Sequence, residues 1–211
     1  MSSLILENLQ ESIEKASPHA MLFGGDLAGM SCCFPEGVAL LKQIPLEKKF
    51  AVTGNWDKKD TIALPHRTRR KMLEEAGIKL LVNDSVPLSS CITLFGMDDT
   101  RMGFPCYAFE KKNTGQLRLI AAHSPDTVPG RLPDDFFCEN DFFLCGHTHG
   151  GQIRLPGFGG FSTSTFSGKK LERYWYEHRT NHAKMFITSG IGTTFIHVRI
   201  FCPPEIVLLE F

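Results

Sequence analysis

The segment "FFLCGHTHGGQ", Phe142 to Gln152, joins an apolar run to two histidines set among glycines. On a regular strand His147 and His149 would share one face, but the surrounding glycines favour a turn where the strand ends. A turn can aim both imidazoles at one point, and neutral imidazole is the commonest protein ligand for metal ions. The segment therefore predicts a buried strand that ends in a metal site. The alternative is a pair of surface histidines on a flexible loop.

On either side of this segment, helical and strand patterns alternate. Amphipathic stretches such as "LILENLQESIEK" and "EGVALLKQI" each precede a short apolar run, "AMLFGGD" and "KKFAVTGNWD" respectively. Apolar strands separated by amphipathic helices indicate a sheet covered on both faces. The second half is richer in strand patterns and ends with a further one, "EIVLLEF". We expect a single α/β domain over residues 1–211.

Several predicted strands end in a polar residue that can bind a metal ion. In open α/β sheets, ligands bind outside the carboxyl ends of the strands, so these side chains are expected to converge. Each one alone is more typical of a turn or a helix cap. Together, carboxylate, amide and imidazole groups suit manganese, iron, cobalt or zinc, and they lack the thiolates of a structural zinc site. The candidate ligands are Asp26, Asn55, His123, His147 and His149.

Composition limits the partners and the compartment. Lys plus Arg and Asp plus Glu are both 23, so the formal net charge is zero and general affinity for nucleic acid is not expected. Seven cysteines without a Cys-x-x-Cys pair lie mostly in apolar stretches, which favours buried thiols and a reducing compartment. No secretory signal and no apolar run of transmembrane length is visible. We expect a cytoplasmic protein, at most peripheral on the inner face of the membrane.

Four motifs resemble, in order and spacing, those of the calcineurin-like metallophosphoesterases. They are "GGD" at 24–26, "GNWD" at 54–57, "AHSPD" at 122–126 and "GHTHGGQ" at 146–152. The resemblance extends from about residue 20 to the end. "RLPGFG" and the C-terminal stretch from "SGIGTT" onward are similar to the membrane-associated lipid-phosphoesterase branch that includes UDP-diacylglucosamine pyrophosphatases. The resemblance implies a layered α-β-β-α sandwich.

The resemblance also implies a role for each candidate ligand. Asp26 would bridge two divalent ions, preferably manganese. Asn55, His123 and His147 would complete the shell of the second ion, and His149 would bind the first. Asn55 and His147 would act in catalysis by holding the ion that orients the phosphate. Asp57 is expected to orient Asn55 or a ligand histidine from outside that shell.

Two departures from the family pattern affect these expectations. The chain has no Asp-x-His motif, so we expect the opening strand to be missing and about one ion, rather than two, to bind tightly. Trp56 stands where many members have a histidine that assists the leaving group. An indole cannot act as a general acid near neutral pH, which favours a phosphoanhydride, whose leaving phosphate is already a stabilised anion.

The sequence thus predicts a metal-dependent phosphoesterase that hydrolyses a phosphodiester or pyrophosphate bond, most plausibly in a nucleotide-linked lipid. A degenerate, non-catalytic metal- or phosphate-binding protein and a phosphomonoesterase remain as alternatives. The expected partner is a phosphorylated small molecule or lipid, without nucleic acid. Two stretches are candidates for lipid contact: "HRTRRK", which could equally be a solvated helix face, and "LPGFGGFSTSTF", which could equally pack on the core.

Overall fold

A computed structural model of the chain describes residues 3–59, 62–106, 116–127, 141–161, 165–166, 168–177 and 182–211. Its α-helices are α1 (Ser3–Ala16), α2 (Phe34–Lys42) and α3 (His66–Glu75). Pro35 lies in the first turn of α2, where its missing N–H costs no helical hydrogen bond. Gly77 follows α3 with φ of 74°, a left-handed conformation that closes a helix at little cost for glycine. The helices α1 and α2 begin close to the two predicted amphipathic stretches.

The strands form two main sheets and one small hairpin. A parallel sheet has the order β1-β2-β3, and a mixed sheet has the order β10-β11-β7-β6-β5-β4. In the mixed sheet β4 pairs antiparallel with β5 and β10 with β11, and the other neighbours are parallel. The hairpin pairs β8 with β9. The strands are β1 (Met21–Phe23), β2 (Lys49–Val52), β3 (Ile78–Leu81), β4 (Asp84–Pro87), β5 (Ile92–Gly96), β6 (Leu117–Ala122), β7 (Asp141–Cys145), β8 (Arg154–Leu155), β9 (Gly159–Gly160), β10 (Tyr174–Glu177) and β11 (Lys184–Ile187).

Three buried apolar clusters stack these elements into layers. One face of the parallel sheet packs on the helices, through residues such as Ala51 and Leu73. Its other face packs on the mixed sheet, through Phe50, Val52 and Leu119 among others. Consecutive residues of β2 thus face opposite layers, as the period of a strand requires. The α/β class is confirmed, with the α-β-β part of the expected sandwich in the described residues.

The outer face of the mixed sheet is also buried. Within the described residues, its buried side chains pack with Leu171 of a short 3₁₀ turn, Gly168–Leu171, and with Tyr176 on the edge strand β10 of the same sheet. Ile120 and Phe143 on this face are almost completely inaccessible to solvent. Both faces of the central strands are therefore covered, which explains why β6 and β7 read as continuous apolar runs rather than as alternating patterns.

Some elements differ from the sequence expectation. The strands β4 and β10 were not expected, since "DSVP" and "YWYE" lack a clear apolar run. The stretch Glu205–Phe211 does not form a sheet strand in the structure, although Leu209 packs on the core. The expectation of buried cysteines is wrong for Cys32, Cys91 and Cys106, which are exposed, whereas Cys145 and Cys202 are buried.

The topology brings distant strand ends together. The carboxyl ends of β1 and β2 lie at one end of the parallel sheet, and those of β6 and β7 lie beside each other in the mixed sheet. The two sheets face each other across a shared core. Residues that follow these four strands can therefore meet at one edge of the sandwich.

Candidate metal centre

Asp26, His123 and His147 form a tight cluster at this edge. His123 Nε2 lies 3.0 Å from Asp26 Oδ2 and 3.0 Å from His147 Nδ1. One potential ligand atom from each residue lies within 4.8 Å of the other two. His123 and His147 are buried, and Asp26 is partly buried. The structure thus brings three of the five predicted ligands together.

The carbonyl of Gly24 determines which nitrogen of His123 faces the cluster as an acceptor. His123 Nδ1 lies 2.7 Å from this oxygen, which can only accept a hydrogen bond, so Nδ1 carries the proton. In a neutral imidazole, Nε2 then presents a lone pair toward the carboxylate of Asp26 and toward His147. Electron pairs that converge in a buried site need a cation between them, either a proton or a metal ion.

The backbone at the cluster adopts an uncommon conformation. Asp26, His147 and His149 have φ values of 57°, 66° and 51°, in the left-handed region that non-glycine residues seldom occupy. Such conformations tend to occur at functional sites, where the surrounding structure maintains them. Three of the five predicted ligands are therefore among the ten non-glycine residues with positive φ in the described part of the chain.

Close backbone approach explains two of the glycines. A Cβ atom on Gly25 would lie 2.8 Å from His123 Nδ1 and 2.6 Å from the nitrogen of Gly54. A Cβ atom on Gly54 would collide with the carboxylate of Asp26. Side chains at these positions would therefore push the turns after β1 and β2 apart.

Asn55 lies between two residues that approach Asp26. It follows Gly54, and it precedes Trp56, whose backbone N–H donates to Asp26 Oδ1 at 2.8 Å. The side-chain oxygen of Asn55 is buried and has no hydrogen-bond partner among the described residues. A buried polar atom without a partner is costly, so it indicates an unfilled bonding position. Both this orphaned oxygen and the converging nitrogens of the cluster fit a divalent cation.

His149 is held apart from the other candidates. Its Nε2 lies 2.9 Å from Thr194 Oγ1 and its Nδ1 lies 3.3 Å from the carbonyl of Gly192. It still interacts electrostatically with Asp26 and His123. In the structure, His149 therefore belongs to a neighbouring set of contacts with the C-terminal region rather than to the cluster itself.

Asp57 connects the two turns that carry Asp26 and Asn55. Its Oδ2 accepts hydrogen bonds from the N–H groups of Asp26, at 2.7 Å, and Gly54, at 2.9 Å, and its Oδ1 accepts one from Leu27 at 2.9 Å. The sequence reasoning expected Asp57 to orient Asn55 or a histidine. The contacts correct that expectation, because the carboxylate fixes the backbone on both sides of Asp26.

Burial and charge shift the ionisation of the cluster. Burial raises the pKa of Asp57 to about 6, with a further contribution from the charge of Asp26. Burial also opposes charge on Asp26 and His123, but their mutual hydrogen bond and attraction prevail. The pKa of Asp26 is therefore lowered and that of His123 is raised. Burial lowers the pKa of His149, so this imidazole favours its neutral form.

Asp98 and Asp99, which follow β5, have different roles. Asp98 forms an ion pair with Lys58 and accepts a hydrogen bond from Thr53 Oγ1 at 3.0 Å, so it links the ends of β2 and β5. This contact gives Asp98 a structural role. Asp99 is fully buried, and its Oδ1 has no hydrogen-bond partner among the described residues. It interacts electrostatically with His123.

Sequence reasoning missed Arg199, which holds the His149 turn in place. Its guanidinium donates to the carbonyls of Ser189 at 2.7 Å, of Gly192 at 3.0 Å and of His149 at 3.3 Å. The thiol of Cys202 also donates to the His149 carbonyl, at 3.3 Å. Arg199 thereby fixes the Gly192 carbonyl that faces His149 Nδ1. The sequence feature that could have indicated this role is an arginine within an otherwise apolar C-terminal stretch.

Gln152, the last residue of the histidine motif, has a structural role that the sequence pattern does not predict. Its side-chain amide donates to the carbonyls of Thr194, Ile196 and Val198 at 3.2, 2.7 and 3.1 Å. Its oxygen accepts the N–H of Thr194 at 2.7 Å. One side chain thus fixes the whole C-terminal loop against the His149 turn.

Comparisons with known proteins identify the family. No family model matches the chain. Phosphodiesterase YaeI of Escherichia coli (strain K12) is 29% identical over 215 aligned positions, which cover 99% of this chain and 75% of YaeI. UDP-2,3-diacylglucosamine pyrophosphatase LpxG of Chlamydia muridarum is 30% identical over 146 residues, 66% of this chain and 43% of LpxG. The chain belongs to the calcineurin-like metallophosphoesterases.

Members of this family are hydrolases, and a metallophosphoesterase requires divalent metal ions. A further relative, the uncharacterized protein YpbG of Bacillus subtilis (strain 168), is 30% identical over 210 residues, 96% of this chain and 74% of YpbG. The similarity to YpbG and YaeI therefore covers nearly all of this chain. The match to LpxG covers less than half of the length of LpxG.

Among the described residues, no helix combines the length and the apolar character that crossing a bilayer requires.

Proposed function

We propose that this metallophosphoesterase hydrolyses a phosphodiester or pyrophosphate bond in a nucleotide-linked lipid, such as a UDP-diacylglucosamine. The observation that carries the proposal is the convergence of acceptor atoms from Asp26, His123 and His147 at one edge of the sandwich. A phosphate ester or anhydride is negatively charged. A site that gathers a cation at the carboxyl ends of strands suits such a substrate.

In this proposal the metal ligands are Asp26, Asn55, His123, His147 and His149. When bound, divalent ions act as Lewis acids toward phosphoryl oxygens and lower the pKa of water. Manganese is the first choice, with iron, cobalt and zinc as alternatives. Asp26, Asn55, His123 and His147 would hold one ion tightly. His149 would contribute to a second position that binds an ion more weakly. Asn55 and His147 would also act in catalysis by holding the ion that orients the phosphate.

Trp56 and its neighbours define the mouth of the site. The backbone N–H of Trp56 donates to Asp26. The Trp56 ring packs edge-on against Phe195, with 5.9 Å between the ring centroids, and the ammonium of Lys59 lies 3.4 Å from the centroid of the Trp56 ring. Lys59 would offer a positive charge to a phosphate that enters there. The indole N–H can donate a hydrogen bond but cannot protonate a leaving group. A phosphoanhydride, whose leaving phosphate needs little protonation, therefore suits this mouth best.

The lipid part of the proposal has separate support. LpxG, named as a pyrophosphatase of UDP-2,3-diacylglucosamine, is 30% identical to this chain over the matched residues. The aromatic surface at the mouth offers apolar contact near the reacting phosphate. We propose that the protein acts on the cytoplasmic face of a membrane as a peripheral enzyme, without binding nucleic acid.

The test is a substrate panel in the presence of manganese. It compares UDP-2,3-diacylglucosamine with an alkyl phosphodiester and an alkyl phosphomonoester, using the parent protein, Asp26→Ala as an inactive control, and Trp56→His. We expect the parent to cleave the pyrophosphate fastest. Trp56→His should raise the rate on the alkyl diester more than on the pyrophosphate, because only the alkoxide leaving group needs a proton.

Other outcomes would favour the alternatives. Fastest cleavage of the monoester would indicate a phosphomonoesterase. Tight metal binding without hydrolysis of any of the three substrates would indicate a non-catalytic binding protein. Equal gains on both substrates in Trp56→His would overturn the leaving-group argument.

A further inference from the structure

An exposed apolar surface lies next to the metal centre. Phe158 and Phe161 belong to the β8–β9 hairpin region and are 76% and 80% exposed, and Phe195 in the C-terminal loop is 86% exposed. We call this the rim surface and define it by six exposed side chains. Scattered apolar residues are normal on a protein surface, but a contiguous group marks an interaction site. The six are Leu155, Phe158, Phe161, Phe195, Ile196 and Phe201.

Backbone contacts join the two segments that carry these side chains. Ile153 and Ile200 form a parallel bridge, and the N–H of Arg154 donates to the carbonyl of Ile200 at 3.0 Å. The N–H of Ile200 donates in turn to the carbonyl of Gln152 at 3.1 Å. The Gln152 side chain holds the other end of the loop, through its bonds to the backbone from Thr194 onward. The two segments therefore form one continuous structure.

These two segments contain basic residues but no acidic ones. Residues 153–161 and 190–204 contain no Asp or Glu, and they contain Arg154, Arg199 and His197. The buried carboxylate of Glu172 pairs with Arg154. Arg199 donates to backbone carbonyls, and its positive charge interacts with Glu205, the residue that directly follows these segments. An apolar surface whose own two segments lack Asp and Glu and contain Arg199 is compatible with a bilayer that has anionic headgroups.

The rim surface begins at the metal centre. Phe195 packs against Trp56, and the preceding residue, Thr194, lies 2.9 Å from His149 Nε2. A molecule held at the rim surface is therefore close to the mouth of the site. If the substrate is a lipid, this position would bring it close to the metal centre, and in that respect the inference rests on the proposed function.

We propose that the rim surface docks this protein onto the interface of a bilayer that contains anionic lipid, with the mouth of the metal centre facing the headgroups. The phenylalanines enter the boundary between headgroups and acyl chains, while Arg199 and His197 remain at headgroup level. A lipid-linked phosphate could then reach the cluster without leaving the membrane completely.

The test is co-sedimentation with vesicles of phosphatidylcholine, with and without phosphatidylglycerol, and with no nucleotide-linked lipid present. We expect the parent protein to bind the anionic vesicles more tightly than the neutral ones. The double variant Phe158→Ser/Phe161→Ser should bind the anionic vesicles about tenfold more weakly, because binding scales with the apolar area inserted. Hydrolysis of a water-soluble phosphodiester reports on whether the double variant still folds.

A matched pair of leucines provides the control. Leu155, in the rim surface, is 52% exposed, and Leu208, on the C-terminal stretch that runs away from the site toward Phe142, is 51% exposed. Leu155→Ser should weaken vesicle binding, whereas Leu208→Ser should not. Equal effects of the two substitutions would overturn the proposal.

Two further results would also overturn it. One is failure of the parent protein to bind either kind of vesicle. The other is a dimer in sedimentation velocity that Phe158→Ser/Phe161→Ser converts to a monomer, since the surface would then bind a second copy of the chain. Vesicle binding with the expected variant pattern, but without hydrolysis of any nucleotide-linked lipid, would support the docking surface and contradict the proposed substrate.

Discussion

The two halves of the candidate metal centre are held in place in different ways. In the inner half, which we define as Asp26, Asn55, His123 and His147, the side chains are largely buried, and Asp57 fixes the backbone around Asp26. In the outer half, His149 is more exposed and depends on Thr194, Gly192 and Arg199. The inner half is thus organised by the sequence motifs themselves.

The outer half is organised by an irregular C-terminal loop, since Arg199 contacts the His149 carbonyl from a stretch that forms no helix or strand. A site assembled within short motifs is preorganised by the strands that carry it. A site that depends on a distant loop can loosen without unfolding the sheets. The difference predicts tight ion binding in the inner half and weaker, adjustable binding in the outer half.

The largest expected effect comes from removing the carboxylate of the inner half. We expect Asp26→Ala to lose both the bound ion and the phosphodiesterase activity, because His123 and His147 then lack their negatively charged companion. His149→Ala should retain about one ion and lose much of its activity. Metal content by elemental analysis, measured beside the rate, tests both. Equal loss of metal in the two variants would contradict the distinction between the halves.

A somewhat smaller effect is expected from Asp57→Asn. An amide has one acceptor oxygen and an NH₂ group, so it cannot accept all three backbone N–H groups that the carboxylate binds. Loss of such supporting contacts typically lowers metal affinity by about 10- to 100-fold. Titration of metal into the metal-free protein measures this change.

The control for this substitution is Asp84→Asn. Asp84 lies at the exposed start of β4, 3.7 Å from Lys79, and surface pairs of this kind contribute little. Its metal affinity should match that of the parent protein. If Asp57→Asn also kept the parental affinity, the connection between the turns after β1 and β2 would not matter for binding.

Arg199→Lys should affect the outer half alone. A lysine ammonium cannot reproduce the planar guanidinium that contacts four separate carbonyls, so the Gly192 carbonyl would no longer be fixed beside His149 Nδ1. We expect about tenfold weaker binding at the outer position, at the low end of the range for supporting residues. Calorimetry should show the inner ion unchanged, and nitrogen NMR should show a mixture of His149 tautomers.

Arg70→Lys is the matched control for that experiment. Arg70 is half-buried on α3, pairs with Glu74 at 3.7 Å and donates to the carbonyl of Leu80 at 3.1 Å, so these contacts lie within α3 and β3. It should leave both ion positions as they are. Weakened binding of the inner ion in Arg199→Lys would mean that the two halves are coupled and that the comparison between them is wrong.

The sequence predicts the inner half better than the outer half for a physical reason. Polar residues directly after apolar strands must lie at the sheet edge, so the neighbourhood of Asp26 and His123 follows from topology alone. The role of Arg199 depends on how an irregular loop folds back, which no periodicity encodes. The same reason explains why β10 was not expected and why Glu205–Phe211, an apolar run, does not pair in a sheet.

The smallest expected effect is a difference in pH response between the two histidines. Burial opposes charge on both, but the bond and charge of Asp26 raise the pKa of His123 above 6.5, whereas burial lowers that of His149 below 6.5. A raised pKa means that His123 stabilises the metal-free protein fully below pH 6.5, and that this stability is lost as the pH rises through its folded pKa. His149 acts in the opposite sense, since its contribution is present above pH 6.5 and is lost as the pH falls through its lowered pKa.

Metal affinity should rise over the range in which His123 loses its proton, because only neutral imidazole binds the ion. Proton NMR titration of the metal-free protein measures both midpoints, and thermal unfolding should shift by a few degrees over the same range. Midpoints on the same side of pH 6.5 would show that the two halves share one electrostatic environment.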